Sequence, residues 1–288
     1  MNVFSHSFPE AWQFKMGMTI DNAVKEFSRN NKVMLDSIRD TAISGVQGIQ
    51  WVFSSMPWFV LIIIVIVLGY IVSKKIKTSL LYGAMLFFIG SSGMWEHMIE
   101  TISIVIGAVV ISLIIGFPLG IIIAISKNAE RVIRPILDMM QTMPSFVYLV
   151  PAVMLFNLGQ MPALLATIIY SIVPMIRMTS HGITNVDKEI KEAAIAFGST
   201  KLQALLKVEI PQAIPTIMTG VNQTIMMAMS MVVTSAIIGA EGLGLEILLA
   251  TNRIKMGEAL IPGISIVIIA IIFDRLTQGL IKKDGETE

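Results

Sequence analysis

Val186-Asp187-Lys188-Glu189-Ile190-Lys191-Glu192-Ala193-Ala194-Ile195-Ala196-Phe197-Gly198, running on to Ile210-Pro211, is a charged, helix-favouring stretch in a greasy chain. On either side of it the sequence is almost purely apolar. A long polar loop between two buried segments is expected where a membrane-embedded chain meets a soluble partner.

Composition supports the membrane half of that reading. Hydrophobic residues make up 55% of the chain and charged residues 14%, with a mean hydropathy of +0.77. A soluble globular domain carries far more charge. Several apolar runs of about 20 residues in 288 residues point to a polytopic, all-α membrane protein. A net charge of +1 gives no pull toward nucleic acid. The absence of cysteine excludes thiolate metal sites, catalytic thiols and disulfides. The 21 methionines read as lipid-tolerant packing.

Glu10 and Asp21 lie early, with no short apolar core ahead of a small-residue cleavage site, so no signal peptide is expected. The apolar run beginning near Pro57 is then the insertion signal. Residues 12–40 read as an amphipathic helix. Ile20, Val24, Phe27, Met34 and Ile38 recur at helical spacing, interrupted at Asn31, with Lys25, Arg29, Lys32, Asp36 and Arg39 on the other faces. The favoured place for it is the membrane surface; a solvated helix packed on another subunit is the alternative.

About seven transmembrane helices follow, at roughly 57–73, 79–94, 101–126, 136–157, 160–177, 213–240 and 259–281. Each nearly or fully crosses about 30 Å of hydrocarbon as a helix, the open-chain form that satisfies its own backbone there. Gly116, Pro118, Gly120, Pro144, Pro151 and Pro174 imply kinks and close helix contacts within them. Basic residues set the orientation. Lys74, Lys75 and Lys77 follow the first span, Lys127, Arg131 and Arg134 the third, and Arg177, Lys188, Lys191, Lys201 and Lys207 the fifth. Arg275, Lys282 and Lys283 end the seventh, while the intervening loops hold only Arg253 and Lys255. The C-terminus is therefore expected in the cytoplasm and the N-terminus, with its amphipathic helix, outside.

Charges inside spans are costly and usually functional. Asp138 and Asp274 are the only two, and each has an arginine nearby, Arg134 and Arg275, for pairing at the interface. No acidic residue sits at mid-membrane, which argues against an ion-coupled secondary transporter. Neutral polar residues are plentiful. Gln141, Ser145, Asn222, Gln223, Thr224 and Thr234 are candidates for a translocation path, and the Asn222-Gln223-Thr224 cluster can equally supply interhelical hydrogen bonds. Catalytic signatures are missing: the histidines (His6, His97, His181) form no HExxH, and no GxSxG or phosphate loop occurs. No catalytic residue and no metal ligand set is expected, and ATP hydrolysis is not expected in this chain.

In the central loop, Glu189 to Phe197 form a helix with an apolar side of Ile190, Ala193, Ala194 and Phe197. Gly198 allows a sharp turn. Ser199 or Thr200 can cap a second helix carrying Leu202, Leu205, Leu206 and Val208, which Pro211 is expected to end. Two short helices with alanines on one face make a compact knob fit for a groove on another protein.

These residues carry a resemblance. Glu192-Ala193-Ala194, three residues, Gly198, nine residues, Val208, one residue, then Ile210-Pro211 is similar to the EAA loop of binding-protein-dependent ABC importer permeases. Val208 and Ile210 stand where the family usually has Ile and Leu. Residues 95–281 resemble the transmembrane core of type I importers. Asp138 to Phe146 and Ile238 to Gly244 look most like the branch importing glycine betaine, proline betaine, carnitine or choline, and the long N-terminal tail is similar to its glycine betaine/proline permeases.

The resemblance implies a prokaryotic cell-membrane permease in four parts. Residues 1–56 are an external tail, 57–94 two accessory helices, 95–281 the core with coupling loop 178–212, and 282–288 a cytoplasmic tail. It implies two copies of an ATPase subunit that hold the ATP and Mg, a separate extracytoplasmic solute-binding protein, a second permease copy and surrounding lipid. Glu192, Ala193, Ala194, Gly198, Val208, Ile210 and Pro211 would form the ATPase-coupling loop. Glu241, Gly242 and Gly244 would lie near the outer gate, with Glu246 and Arg253 as contacts for the binding protein. A membrane scaffold recruiting a cytosolic partner remains the reading from another class.

Overall fold

The computed structural model describes residues 16–285, so residues 12–15 of the amphipathic stretch and 286–288 of the tail lie outside it. Among the described residues every regular element is helical. In chain order they are α1 (Met16–Asn30), α2 (Lys32–Ser55), α3 (Trp58–Ser73), α4 (Ile76–Ser91) and α5 (Trp95–Ile125). Next come α6 (Lys127–Thr142), a 3-10 turn (Ser145–Tyr148), α7 (Leu149–Phe156), α8 (Gln160–Thr184), α9 (Lys188–Ala196) and α10 (Lys201–Ala204). A π turn (Leu205–Glu209), α11 (Ile210–Ser235), a second 3-10 turn (Ala236–Ile238), α12 (Leu243–Asn252) and α13 (Met256–Gly285) complete the chain.

Each of the seven expected spans contains an apolar helix, but they are not equivalent. Among the described residues four continuous runs are long and apolar enough to cross a membrane: Trp95–Ile125, Gln160–Thr184, Lys201–Ile238 and Met256–Gly279. Two bent pairs have the length and composition of a span only when taken together, α2 with α3 at 97° and α6 with the turn and α7 at 112°. The 16-residue α4 is apolar but short. The expected straight helix over 136–157 is therefore corrected. Met143 and Pro144 adopt extended ψ values of 134° and 137°. The residue before a proline is driven out of the helical region, so α6 stops there and the chain turns.

The N-terminal reading is also revised. The helix does break at Asn31, whose Nδ2 donates to Phe27 O at 2.9 Å. It then resumes and runs through Ser55, well past residue 40. The stripe of Ile20, Phe27, Met34 and Ile38 stays about half exposed, whereas Leu35 and Val46 further along are buried. Val46 packs where α5 carries Gly107, so the second half of α2 belongs to the core.

That core is the triple α5–α8–α11, with α13 and α12 alongside. Small residues let the backbones close. Gly116 and Gly120 of α5 face Met175 and Thr179 of α8, and a Cβ on Gly120 would come within 2.8 Å of Ile176 O. Gly220 of α11 meets Met178 and the Pro174 carbonyl in the same way. The seam also buries Ser112 and Ser171, whose hydroxyls lie 3.2 Å apart. Helix α8 thus runs through the middle, with one end at α9 and the other at the turn before α12.

Candidate functional site: a coupling knob and a locked turn

At the C-terminal end of α8 the chain builds the knob. The Asp187 carboxylate caps α9 by accepting from Glu189 N at 2.9 Å, satisfying a helix-end N–H. Gly198 adopts φ +85°, which a side chain disfavours, and lies in open space. Thr200 is the cap of α10, in a reciprocal capping box. Its hydroxyl accepts from Gln203 N at 3.3 Å and its N–H donates to Gln203 Oε1 at 2.9 Å.

The second helix does not end at Pro211. α10 passes through the π turn into α11, giving one run from Lys201 to Ile238. Pro211 has no N–H, and the wider turn, with Ile210 N bonded to Leu205 O, brings it in where a missing donor costs little. The knob is therefore one free-standing short helix against the root of a transmembrane helix.

Its outer surface is greasy and uncovered. Phe197 is 91% exposed, and Ile195, Leu202 and Leu206 are each more than half exposed. Glu192, Ala193 and Gly198 are exposed and Ala194 half-buried, and no residue of α9 is buried. Val208 and Ile210 are half-buried and Pro211 exposed at the start of α11. Leu205 turns inward with Ile183, Val186 and Ala213. A residue the sequence reading counted only as a charge, Lys191, holds the helix down. Its Nζ pairs with Glu209 Oε2 at 3.0 Å and donates to Ile183 O at 2.9 Å. Thus α9 is tied both to the end of α8 and to the π turn.

At the opposite end of α8 the suggested outer-gate residues form a locked turn. Gly242 has φ +101°, and a Cβ there would collide with Thr101 Oγ1 and lie 3.1 Å from His97 O. Thr101, fully buried, accepts from Leu243 N at 2.9 Å and donates to His97 O at 2.8 Å. Gly244 packs on the Val232 carbonyl, 3.1 Å from its would-be Cβ. Glu241 Oε2 accepts from Gln160 Nε2 at 3.0 Å, and Gly159 N donates to Ile238 O at 2.9 Å. Glu246 Oε1 lies 3.6 Å from His97 Nε2. Arg253, at the end of α12, is exposed. Thr101 was not singled out in the sequence, since a threonine in an apolar run carries no signal of a partner 142 residues away.

The six path candidates do not share one hydrogen-bond network among the described residues. Asn222 belongs to a helix seam: its Nδ2 donates to Asp274 Oδ1 at 2.8 Å and its Oδ1 accepts from Thr277 at 2.7 Å. Gln223, one residue on, is exposed, and Thr224 is fully buried with no partner for its hydroxyl. Thr234 is half-buried with Ser230 O at 3.5 Å, Gln141 is exposed at the end of α6, and Ser145 opens the 3-10 turn. One of the two expected carboxylate pairings is corrected. Asp138 pairs with Arg177 of α8, leaving Arg134 to Glu130, whereas Asp274 keeps Arg275 at 4.0 Å and also accepts from Asn222 and Gln278. For Asp138 the neighbour in sequence loses to one on a packed helix, Arg177 of α8, which lies within reach of the carboxylate.

An α5–α8–α11 core thus carries an exposed apolar knob at one end and a glycine-locked turn at the other. The chain is similar in fold to the inward-facing MetNI methionine ABC transporter, with a TM-score of 0.60 over 64% of this chain and 93% of that one at 17% identity. Residues 116–283 match the family described as binding-protein-dependent transport system inner membrane component. The glycine betaine/carnitine transport permease GbuB of Listeria monocytogenes is 43% identical over 83% of this chain and 86% of its own length. The glycine betaine transport system permease OpuAB of Bacillus subtilis is 42% identical over 85% and 86%. This chain belongs to the binding-protein-dependent transport system inner membrane component family. It is a multi-pass permease subunit and not an enzyme, and it works with an ATPase and a substrate-binding protein.

Proposed function

We propose that the chain is the permease of an ATP-driven importer for glycine betaine, proline betaine and similar quaternary ammonium solutes. Two copies of it sit over two ATPase subunits that hold the ATP and Mg. The substrate assignment rests on the glycine betaine permeases it is similar to. The observation that carries the coupling is the exposed apolar tip, Phe197 above all, on a helix fastened by Lys191 to the root of α11. A tip that docks on an ATPase passes displacement through the Lys191–Glu209 tie and the Gly198 turn into one continuous run, Lys201–Ile238, that enters the membrane.

In this reading the knob is cytoplasmic, the N-terminus is outside, and residues 95–281 form the core. The Glu241–Glu246 turn faces the binding protein and closes the outer gate. Quaternary ammonium recognition uses aromatic faces, and that duty falls to the binding protein rather than to these spans. Proteoliposomes holding permease and ATPase, with ATP inside and loaded binding protein outside, test it. Glycine betaine should accumulate, uncouplers should not stop it, and Gly198→Asp should abolish it. Accumulation driven by an ion gradient without ATP would overturn the proposal.

A further inference from the structure

Between the α3–α4 hairpin and the α5–α13 face lies a cavity of about 210 Å³. Its walls are apolar or aromatic throughout, among them Leu68, Trp95, Ile102, Ile272, Phe273 and Leu276. Water at about 30 Å³ a molecule would fit by size but needs two to four polar partners, and this wall supplies none. Hydrocarbon loses nothing there. The space opens between helices of a membrane protein, where acyl chains are the solvent.

The cavity has a defined end. Beyond Leu68 and Leu276 the two helices meet so closely that a Cβ on Gly279 would collide with Val72. That contact brings the end of α3 beside α13. Lys74, in the left-handed conformation at φ 51°, and Lys75 follow Val72 within three residues, and Lys77 stands on the first turn of α4. Arg275 lies one turn before Gly279 on α13. All four side chains are exposed. A basic loop alone is explained by membrane topology. Topology does not call for a hydrocarbon-shaped cavity leading up to that loop on the same pair of helices.

We infer that this is a binding site for an anionic phospholipid: one acyl chain fills the cavity, and the phosphate lies against Lys74, Lys75, Lys77 and Arg275. The lipid supplies packing that the side chains leave out, and it joins the hairpin to α13. The hairpin meets α13 closely at Val72–Gly279, and the filled cavity extends that contact toward mid-membrane.

Trp95 in the wall is a built-in reporter. The complete transporter, permease with ATPase, is reconstituted in phosphatidylcholine bilayers doped with an equal small fraction of brominated-chain phosphatidylglycerol or brominated-chain phosphatidylcholine. Tryptophan fluorescence is expected to be quenched more by the anionic lipid, and the excess should vanish in Trp95→Phe. Neutralising Lys74, Lys75 and Lys77 to Gln should weaken the preference roughly fivefold per lysine, while the three Lys→Arg changes should preserve it. Ile272→Phe, which fills the cavity, should remove the excess with the lysines intact. Native mass spectrometry of the detergent-extracted complex reads the same site without fluorescence: wild type should retain phosphatidylglycerol, and Ile272→Phe should not. Equal quenching by the two lipids, or an excess that survives either the Gln changes or Ile272→Phe, overturns the site.

Discussion

Beyond the two ends of α8, a helix of 25 residues and so roughly 37 Å long, a positive-φ glycine makes a turn, Gly198 after α9 and Gly242 before α12, and the two do opposite work. Gly198 stands in open space beside a 91% exposed phenylalanine. Gly242 is jammed against Thr101 and the His97 carbonyl, with a threonine hydroxyl bonded on both sides. One end leaves apolar surface uncovered and its turn free; the other is held by hydrogen bonds from Leu243 N, Thr101, Gln160 and Gly159. A surface built to receive a partner and a joint built to stay closed differ in where the unsatisfied chemistry lies.

The sharpest contrast is the same substitution at both glycines. Gly242→Ala adds left-handed strain to a steric collision and should cost about 3 kcal/mol of stability, read as a large drop in thermal unfolding temperature in detergent. Gly198→Ala carries the strain alone, about 1 kcal/mol, so the drop should be small. Equal losses would erase the distinction between the ends. Next comes Phe197→Ala. With the ring in solvent, unfolding should not move, but affinity for the ATPase should fall by about 2 kcal/mol, roughly 30-fold, in a pull-down titration.

Thr101→Val tests the lock from its other side. It leaves Leu243 N buried without an acceptor, for a loss of about 1.5 kcal/mol, and amide exchange in Leu243–Asn252 should speed up. The smallest effect is expected from Lys191→Met. The ion pair with Glu209 is half-buried, at 25% and 18% side-chain exposure, and its removal should cost about 1 kcal/mol. Exchange should rise in Lys188–Ala196 and nowhere near Gly242. A rise at both ends would mean that the ends are not independent.

The spans and the knob were legible because hydrophobic runs and the Glu192-Ala193-Ala194…Gly198 spacing are local properties of the chain. Asn31 was legible as a break for the same reason. What escaped was set across seams. Asp138 takes Arg177 rather than Arg134, and Asp274 adds Asn222 of α11 to its neighbour Arg275, because packing brings those donors within reach. The bend at Met143–Pro144 was misread as a span since prolines are tolerated in lipid, and only the tertiary fold decides whether one kinks a helix or ends it. Pro211 erred the other way: a proline that ends many helices is absorbed here by the π turn before it. The lock at Thr101 had no sequence signature at all.

In the proposed function Phe197 docks the ATPase and the motion enters the membrane through Lys201–Ile238. The direct measurement is ATP-driven glycine betaine uptake, with ATP hydrolysis read in parallel, by the reconstituted transporter carrying Phe197→Asp. The expected result is loss of uptake and of substrate-stimulated hydrolysis, while the permease unfolds at the wild-type temperature and the binding protein still captures substrate. Wild-type uptake by that variant, with the ATPase still attached, would contradict it.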